Sequence, residues 1–228
     1  MKEILVKTKY DPIKITVRED SVSDEAIISE IFEENVYRLH DNFFDRNSVV
    51  IDAGANIGVF TLRVLLHAKD NGKPVIIYAI EPEPHNLELL KQNLKQNDWL
   101  IGGSEVIIVE QGLSEKPGEA FIDDNHGDSR LMPEGHRISL ITLDQLVEEE
   151  GIEEIAFAKF DIEGSEVPTI LAASDDTIDK IHRMAIEFDE QNGLEKFADV
   201  LNRFGRHCQI NTLGVPARGC YIYTERFE

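Results

Sequence analysis

A chain of 228 residues, 42% of them apolar, is long enough to bury one sizeable core and too apolar to stay disordered. Its formal net charge of −21 excludes a broad basic face, so neither a nucleic-acid backbone nor an anionic membrane surface is an expected partner.

In chain order, the opening MKEILVKTKY alternates charged and apolar residues and contains no run suited to a signal peptide or a spanning helix. ILVKTKYDPIKITV alternates like a hairpin. SDEAIISEIFEENVYRL follows at helical spacing, with Ile27, Ile28, Ile31, Phe32, Val36 and Leu39 on one face, Ser23 as its cap and Asp24 and Glu25 at its positive end. Residues 1–47 are therefore expected to form a cap ahead of a main domain over 48–228.

Strands and helices then alternate. SVVIDA, PVIIYAIE, SEVIIVEQG, EEIAFAKFD and IHRMAIEF read as strands. GVFTLRVLLHA, PHNLELLKQNLKQN (with Pro84 at its start), a segment from Ser165, and GLEKFADVLNRFG read as helices. HCQI and CYIYTE close the chain as a strand pair. This alternation predicts an α/β fold: a Rossmann-like parallel sheet with helices on both faces. Residues 113–144 break the rhythm. There EAFID and RISLITL suggest a hairpin around the polar DNHGDSRLMPEGH, expected to be a surface excursion. The two cysteines, Cys208 and Cys220, lack zinc-ligand spacing. A cytoplasmic protein with reduced thiols is expected; a disulfide between them is geometrically open but unexpected in that compartment.

The stretch VVIDAGANIG is a glycine loop after a strand, but it lacks the middle glycine of a dinucleotide fingerprint; Asn56 stands between Gly54 and Gly58. In an open parallel sheet, ligands bind beyond the carboxyl ends of the strands. Asp52, Glu81, Gln111 with Gly112, and Asp161 stand at successive strand ends, which points to a site there. Gly54 and Gly58 permit a tight turn and close backbone approach, and the helix that follows offers N–H groups to an anionic group. Asp52 would repel a pyrophosphate but suits a ligand carrying a cationic group. Glu81 occupies the position that binds ribose hydroxyls in nucleotide folds. Ribose plus amino acid points to S-adenosylmethionine.

VVIDAGANIGVFTL, AIEPEPHN, GLSEKPGEA, ITLDQL and KFDIEGSE, in this order, resemble the successive blocks of the FkbM-type methyltransferase family. The resemblance runs from about residue 48 to about residue 189; Asp161, Glu163, Gly164 and Glu166 form its most discriminating block. It implies a seven-stranded sheet whose last strand is antiparallel, and methyl transfer from S-adenosylmethionine, usually to a hydroxyl oxygen. Carried over by position, Asp52, Gly54, Asn56 and Gly58 would hold the methionine portion, Glu81 the ribose, and Gln111 and Gly112 would border the adenine. The expected acceptor is a small molecule or saccharide.

In-line displacement at a sulfonium is mostly a matter of positioning. Asp161, Glu163 and Glu166 are the candidates to take the acceptor's proton. Three carboxylates also suit Mg²⁺, but Gly164 interrupts them and no Asn accompanies them, so no metal ligand is assigned. His126 and His85 read as surface histidines, Tyr37 as packing between cap and sheet, and Arg130 as a candidate contact for an anionic acceptor. The competing readings are a nicotinamide-dependent oxidoreductase, against which Asn56 and Asp52 speak, and a non-catalytic domain that binds S-adenosylmethionine.

Overall fold

In the computed structural model, the residues described are 1–19, 21–40, 44–122, 131–188, 198–200, 202–203, 208–215 and 219–226. The chain opens with an antiparallel pair, β1 (Lys2–Val6) and β2 (Ile13–Val17), as the alternation predicts. Helix α1 (Val22–Ser29) follows and continues as a π turn over Glu30–Glu34. Its cap is Ser21 and not Ser23: the Ser21 hydroxyl accepts from the Asp24 N–H. Asp24 is buried and tied to Arg18, so it serves an ion pair more than the helix dipole.

The central sheet is built from β3 (Ser48–Ala53), β4 (Val75–Ile80), β5 (Glu105–Val109), β10 (Phe157–Phe160), β11 (Arg183–Phe188), β12 (Cys208–Val215) and β13 (Gly219–Arg226), in the spatial order β12-β13-β11-β10-β3-β4-β5. From β11 to β5 all neighbours run parallel; β13 runs antiparallel to both β11 and β12. The order reverses between β3 and β10, which makes the carboxyl ends of β3, β4 and β10 the expected place for a ligand.

Helices cover both faces. On one, α2 (Val59–Asn71) and α3 (Pro84–Gln96) share a core with β2, α1 and Phe44. On the other, α4 (Leu143–Glu149), α5 (Glu166–Ala172) and α6 (Asp175–Asp179) pack with Ile51, Ile80, Phe160 and Ile186. The local chemistry explains the helix ends. Gly58 starts α2 at φ 87°, and Gly72 ends it in a left-handed turn. Pro84 opens α3, with the Glu83 carboxylate accepting from the Asn86 N–H. Thr142 and Gln145 form a reciprocal capping box on α4.

The cap is fastened to α3 by side-chain amides. Asn93 accepts from the Thr16 N–H at 2.7 Å and donates to its carbonyl at 3.1 Å, while Asn97 does the same for Lys14 at 2.9 and 2.6 Å. These amides satisfy the outer edge of β2, which would otherwise lie bare.

The excursion over 113–144 is more than a hairpin. β6 (Gly112–Leu113), β7 (Gly118–Ile122), β8 (Leu131–Met132) and β9 (His136–Ile141) form a second sheet ordered β6-β9-β7-β8. His126 and Arg130 lie outside the described residues, as does most of the GLEKFADVLNRFG segment. The register of β12 with β13 pairs Cys208 with Arg226 and Gly214 with Cys220. The two cysteine backbones are thus about 20 Å apart along the hairpin, at about 3.3 Å per residue, too far for a disulfide. Among the described residues no helix is long and apolar enough to cross a membrane.

Candidate active site

The carboxyl ends of β3, β4 and β10 open into a cavity of about 460 Å³, within the size range of small-molecule sites. Its walls come from the loop after β3, the acids after β4 and β10, the cap, and the second sheet.

Gly54 turns at φ 76°, and a Cβ there would stand 1.8 Å from the Asp161 carbonyl oxygen. Only glycine lets the β3 loop pack directly on the β10 loop. Gly58 has φ 87° and faces Leu90 of α3, so it shapes the helix start and does not line the cavity. Within the loop itself, four backbone N–H groups are engaged by the protein. Gly54 and Ala55 both donate to the Ile80 carbonyl, at 3.0 and 2.9 Å, and Gly58 donates to Ala55 at 2.8 Å. Asn56, at φ 49°, donates its N–H to Glu81 Oε2 at 2.8 Å.

Glu81 is 5% exposed and lines the cavity. Its Oε1 accepts from the Glu83 N–H at 2.9 Å and from Asn86 Nδ2 at 3.2 Å. Three protein donors leave a carboxylate with roughly four acceptor positions about one position to offer a ligand. Burial outweighs these bonds and pushes the Glu81 pKa up to about 6. His85 beside it is exposed, as expected, and contacts Glu83 at 2.8 Å. Gly112 lines the cavity and Gln111 does not.

Asp52 is where the reading from sequence needs correction. It is 0% exposed and absent from the cavity wall. Thr61 Oγ1 donates to its Oδ2 at 2.6 Å and Lys159 Nζ to its Oδ1 at 3.1 Å. It therefore does not offer its charge to a ligand's cation; its partner is Lys159. That lysine, 3% exposed, also donates to the carbonyls of Gly54 at 2.7 Å and Ala53 at 3.3 Å. Burial alone would lower its pKa, but the charges of Asp52 and Asp161 prevail and raise it. Lysine, fully charged here, is the clasp that holds the glycine loop on β10.

Asp161 lines the cavity at the end of β10, with Lys159 Nζ 3.6 Å from its Oδ2 and the Tyr37 hydroxyl donating to the same oxygen at 2.9 Å. Burial disfavours its charge, but Lys159 and hydrogen bonds from Glu187 and Tyr37 outweigh this and hold its pKa below the usual value. Tyr37 does pack between cap and sheet, edge-on to Phe60 at 4.9 Å, but it also lines the cavity. Glu163 lines the cavity from a left-handed position, φ 55°, followed by Gly164 at φ 99°. Glu166, 2% exposed, accepts from the Ile162 N–H at 2.6 Å and the Gly164 N–H at 3.0 Å. Its oxygens thus shape the turn that presents Glu163.

The second sheet is the other correction. Ile122, Ile138 and Leu140 of β7 and β9 line the cavity beside Gly112, so the excursion closes one side of the site instead of lying on the surface. Among the described residues no group of three or more His, Cys, Asp or Glu side chains is arranged to hold a metal ion.

Four contributors escaped the sequence reading: Lys159, Glu187, Arg18 and Asn86. Lys159 stands two residues before Asp161, on the same side of the strand, a spacing that could have flagged it. Glu187 is an ionisable residue within the apolar run Met184–Phe188. Arg18 donates to Asp24 through Nε at 3.0 Å and reaches Asn86 Oδ1 at 2.8 Å and Asn56 Oδ1 at 3.4 Å. It links the cap to the two residues that flank Glu81.

Comparison with known proteins agrees with this geometry. The chain is 24% identical over 217 residues to the methyltransferase sdnD of Sordaria araneosa, covering 79% of this chain and 80% of that one. It is 25% identical over 231 residues to the AMB antimetabolite synthetase AmbE of Pseudomonas aeruginosa, covering 82% of this chain but only 11% of the synthetase. Among solved structures, a methyltransferase FkbM from Methylobacillus flagellatus shares the fold with a TM-score of 0.59 at 18% identity, covering 86% of this chain and 47% of that one. Residues 52–210 match the methyltransferase FkbM domain. The α/β sheet, the cavity at its strand ends and this match have one conclusion: the chain belongs to the FkbM methyltransferase family.

Proposed function

We propose that the protein transfers the methyl group of S-adenosylmethionine to a hydroxyl oxygen of an uncharged small molecule or saccharide. The observation that carries this reading is Glu81: a buried carboxylate on the wall of a cavity of fitting size, fixed by three protein donors that leave it about one acceptor position. Such a group suits a ribose hydroxyl. The seven-stranded order with an antiparallel β13 supports the same reading, because the family resemblance implies that frame.

In this reading Glu81 holds the ribose, Gly112 and Leu113 border the adenine, and Gly54, Ala55 and Asn56 line the methionine end. Asp52 and Gly58 act from behind, through Lys159 and Leu90. Gln111 acts only by preceding Gly112. When bound, S-adenosylmethionine would supply an electrophilic methyl carbon on a sulfonium leaving group. The protein's part is to align the acceptor and remove its proton. Asp161, held ionised by Lys159 and Tyr37, orients the hydroxyl as one acceptor of a bifurcated hydrogen bond whose other acceptor is Glu163. Glu163 takes the proton, leaving a methyl ether and a protonated carboxyl that solvent restores. Glu166 keeps Glu163 presented. No step requires a metal.

Among the charged residues that line the cavity seven are acidic, and the ammonium of Lys159 is directed at Asp52 and backbone carbonyls. That favours an uncharged acceptor over a phosphorylated one. The test is incubation with methyl-labelled S-adenosylmethionine and a pool of hydroxylated metabolites and sugars, read by mass spectrometry. Label in an ether linkage is the expected result; label on nitrogen or carbon, or on no product, contradicts the proposal.

A further inference from the structure

We propose that Glu187 is a positioning residue for the transfer step, a neutral acid that joins the Tyr37 hydroxyl and the Lys159 cation in fixing the Asp161 carboxylate at the cavity wall. The consequence for turnover rests on the methyl-transfer reading above; the placement of the proton does not.

The geometry begins with the sheet. β10 and β11 are parallel neighbours, with Phe160 paired to Ile186, so Asp161 and Glu187 stand side by side at the next position. Adjacent strands lie about 4.8 Å apart, and both carboxyl groups face the same cavity. Two ionised carboxylates at that separation repel; sharing one proton removes the repulsion and creates a short donor–acceptor link. The two carboxyl groups act on one another in opposite senses, Asp161 held below and Glu187 above the usual carboxylate range.

The surroundings decide which of the two keeps the proton. Asp161 has the Lys159 ammonium 3.6 Å away and the Tyr37 hydroxyl at 2.9 Å, both favouring its charge. Glu187 faces the charges of Asp161 and Glu163 on the β10 side, and Lys159 is the cation that offsets them. On its other side β13 pairs Tyr221 with it in backbone register. Burial first, then the Asp161 charge and hydrogen bond, raise the Glu187 pKa far above the usual carboxylate range. Glu187 is then the neutral acid and donates to Asp161. Two donors and a cation then converge on one carboxylate: a phenol, a carboxylic acid and an ammonium 3.6 Å away. The arrangement makes Asp161 a weak base but a rigid, ionised acceptor, which is the property needed to aim a hydroxyl at a methyl group.

The experiment needs no acceptor for its first arm. Infrared difference spectra of the ligand-free protein at about pH 8, where ordinary carboxyl groups are ionised, report protonated carboxylic acids directly. A carbonyl stretch present in the wild type and missing from Glu187→Gln is the expected result. An identical spectrum in the two proteins overturns the proposal. The second arm compares turnover in the labelled-methyl assay. Glu187→Ala should lose about 10- to 100-fold, as for a missing hydrogen bond to a charged group, and Glu187→Gln, which keeps an N–H donor, should recover most of that loss. The alkaline limb of the wild-type pH profile, set by ionisation of Glu187 beside Asp161, should vanish in Glu187→Gln. Equal losses in both variants, or an unchanged alkaline limb, overturn it. A wild type that shows the infrared band but transfers no methyl group would instead count against the proposed function alone.

Discussion

Replacing Lys159 by Met tests the clasp beneath the glycine loop. The side chain is 3% exposed and Asp52 is 0% exposed, and their ion pair closes at 3.1 Å. Methionine fills the volume but removes the charge, leaving Asp52 buried with Thr61 as its one donor among the described residues. Breaking a buried pair from one side costs about 3–5 kcal/mol, because the stranded charge is no longer compensated. At roughly 2–4 °C per kcal/mol for a chain of this size, Tm should fall by about 6–20 °C. The double variant Asp52→Asn/Lys159→Met removes the stranded charge and should recover at least about half of that loss, a coupling of the size seen for contacting residues. Thermal unfolding followed by circular dichroism reads all the variants. The sign of the pH dependence follows from the raised Lys159 pKa: its contribution is present below its ordinary value of 10.5 and fades only as pH climbs through the higher folded value. A Tm shift under about 2 °C in Lys159→Met, or a double variant equal to the sum of the singles, refutes the reasoning.

Further outcomes follow from the same structure. Glu81 is buried with a pKa of about 6, so donor affinity should strengthen as pH rises through 6 and weaken up to about tenfold per unit below it. By the same sign its folding contribution is present at low pH and lost as pH rises from 4.5 through 6, and calorimetric titration at several pH values checks the binding half. Gly54→Ala puts a Cβ 1.8 Å from the Asp161 carbonyl in a left-handed turn. It should destabilise by about 2–4 kcal/mol and displace the loop, measured by denaturant unfolding and by donor affinity; wild-type values for both would contradict the close approach. Arg18→Gln leaves Asp24 buried without its cation and unlinks the cap from Asn86 and Asn56. It should lower stability by about 3–5 kcal/mol, and unchanged stability would mean the cap is held by β2 alone.

The sequence revealed the strand–helix alternation because most strands of the central sheet are short apolar runs and Pro84 marks a helix start; helix α4, capped by Thr142, begins in a stretch that reads as a strand. It revealed the strand-end acids because a parallel sheet collects the carboxyl ends of its strands on one edge. It did not reveal which way each acid faces. Asp52 points under the loop because Lys159, 107 positions away, waits there, and no local pattern encodes a partner so distant. Glu166 reads equally well as a catalytic acid or a helix-start acid, and only its bonds to Ile162 and Gly164 separate the two. The second sheet looked like a surface excursion because its strands are short and polar on one side. Ile122 and Ile138 on the other side meet the cavity only once β7 and β9 pair. Ser21 and Ser23 are both competent caps, and backbone geometry alone chose between them.

In the proposed function, the cavity at the ends of β3, β4 and β10 binds S-adenosylmethionine through Glu81. Isothermal titration of the wild-type protein and Glu81→Ala with S-adenosylmethionine, with NADH as the control, tests it most directly. One saturable site for S-adenosylmethionine, weakened by about 1–3 kcal/mol in Glu81→Ala and absent for NADH, is the predicted result. Binding of NADH in place of S-adenosylmethionine, or equal S-adenosylmethionine affinity in the two proteins, would contradict it.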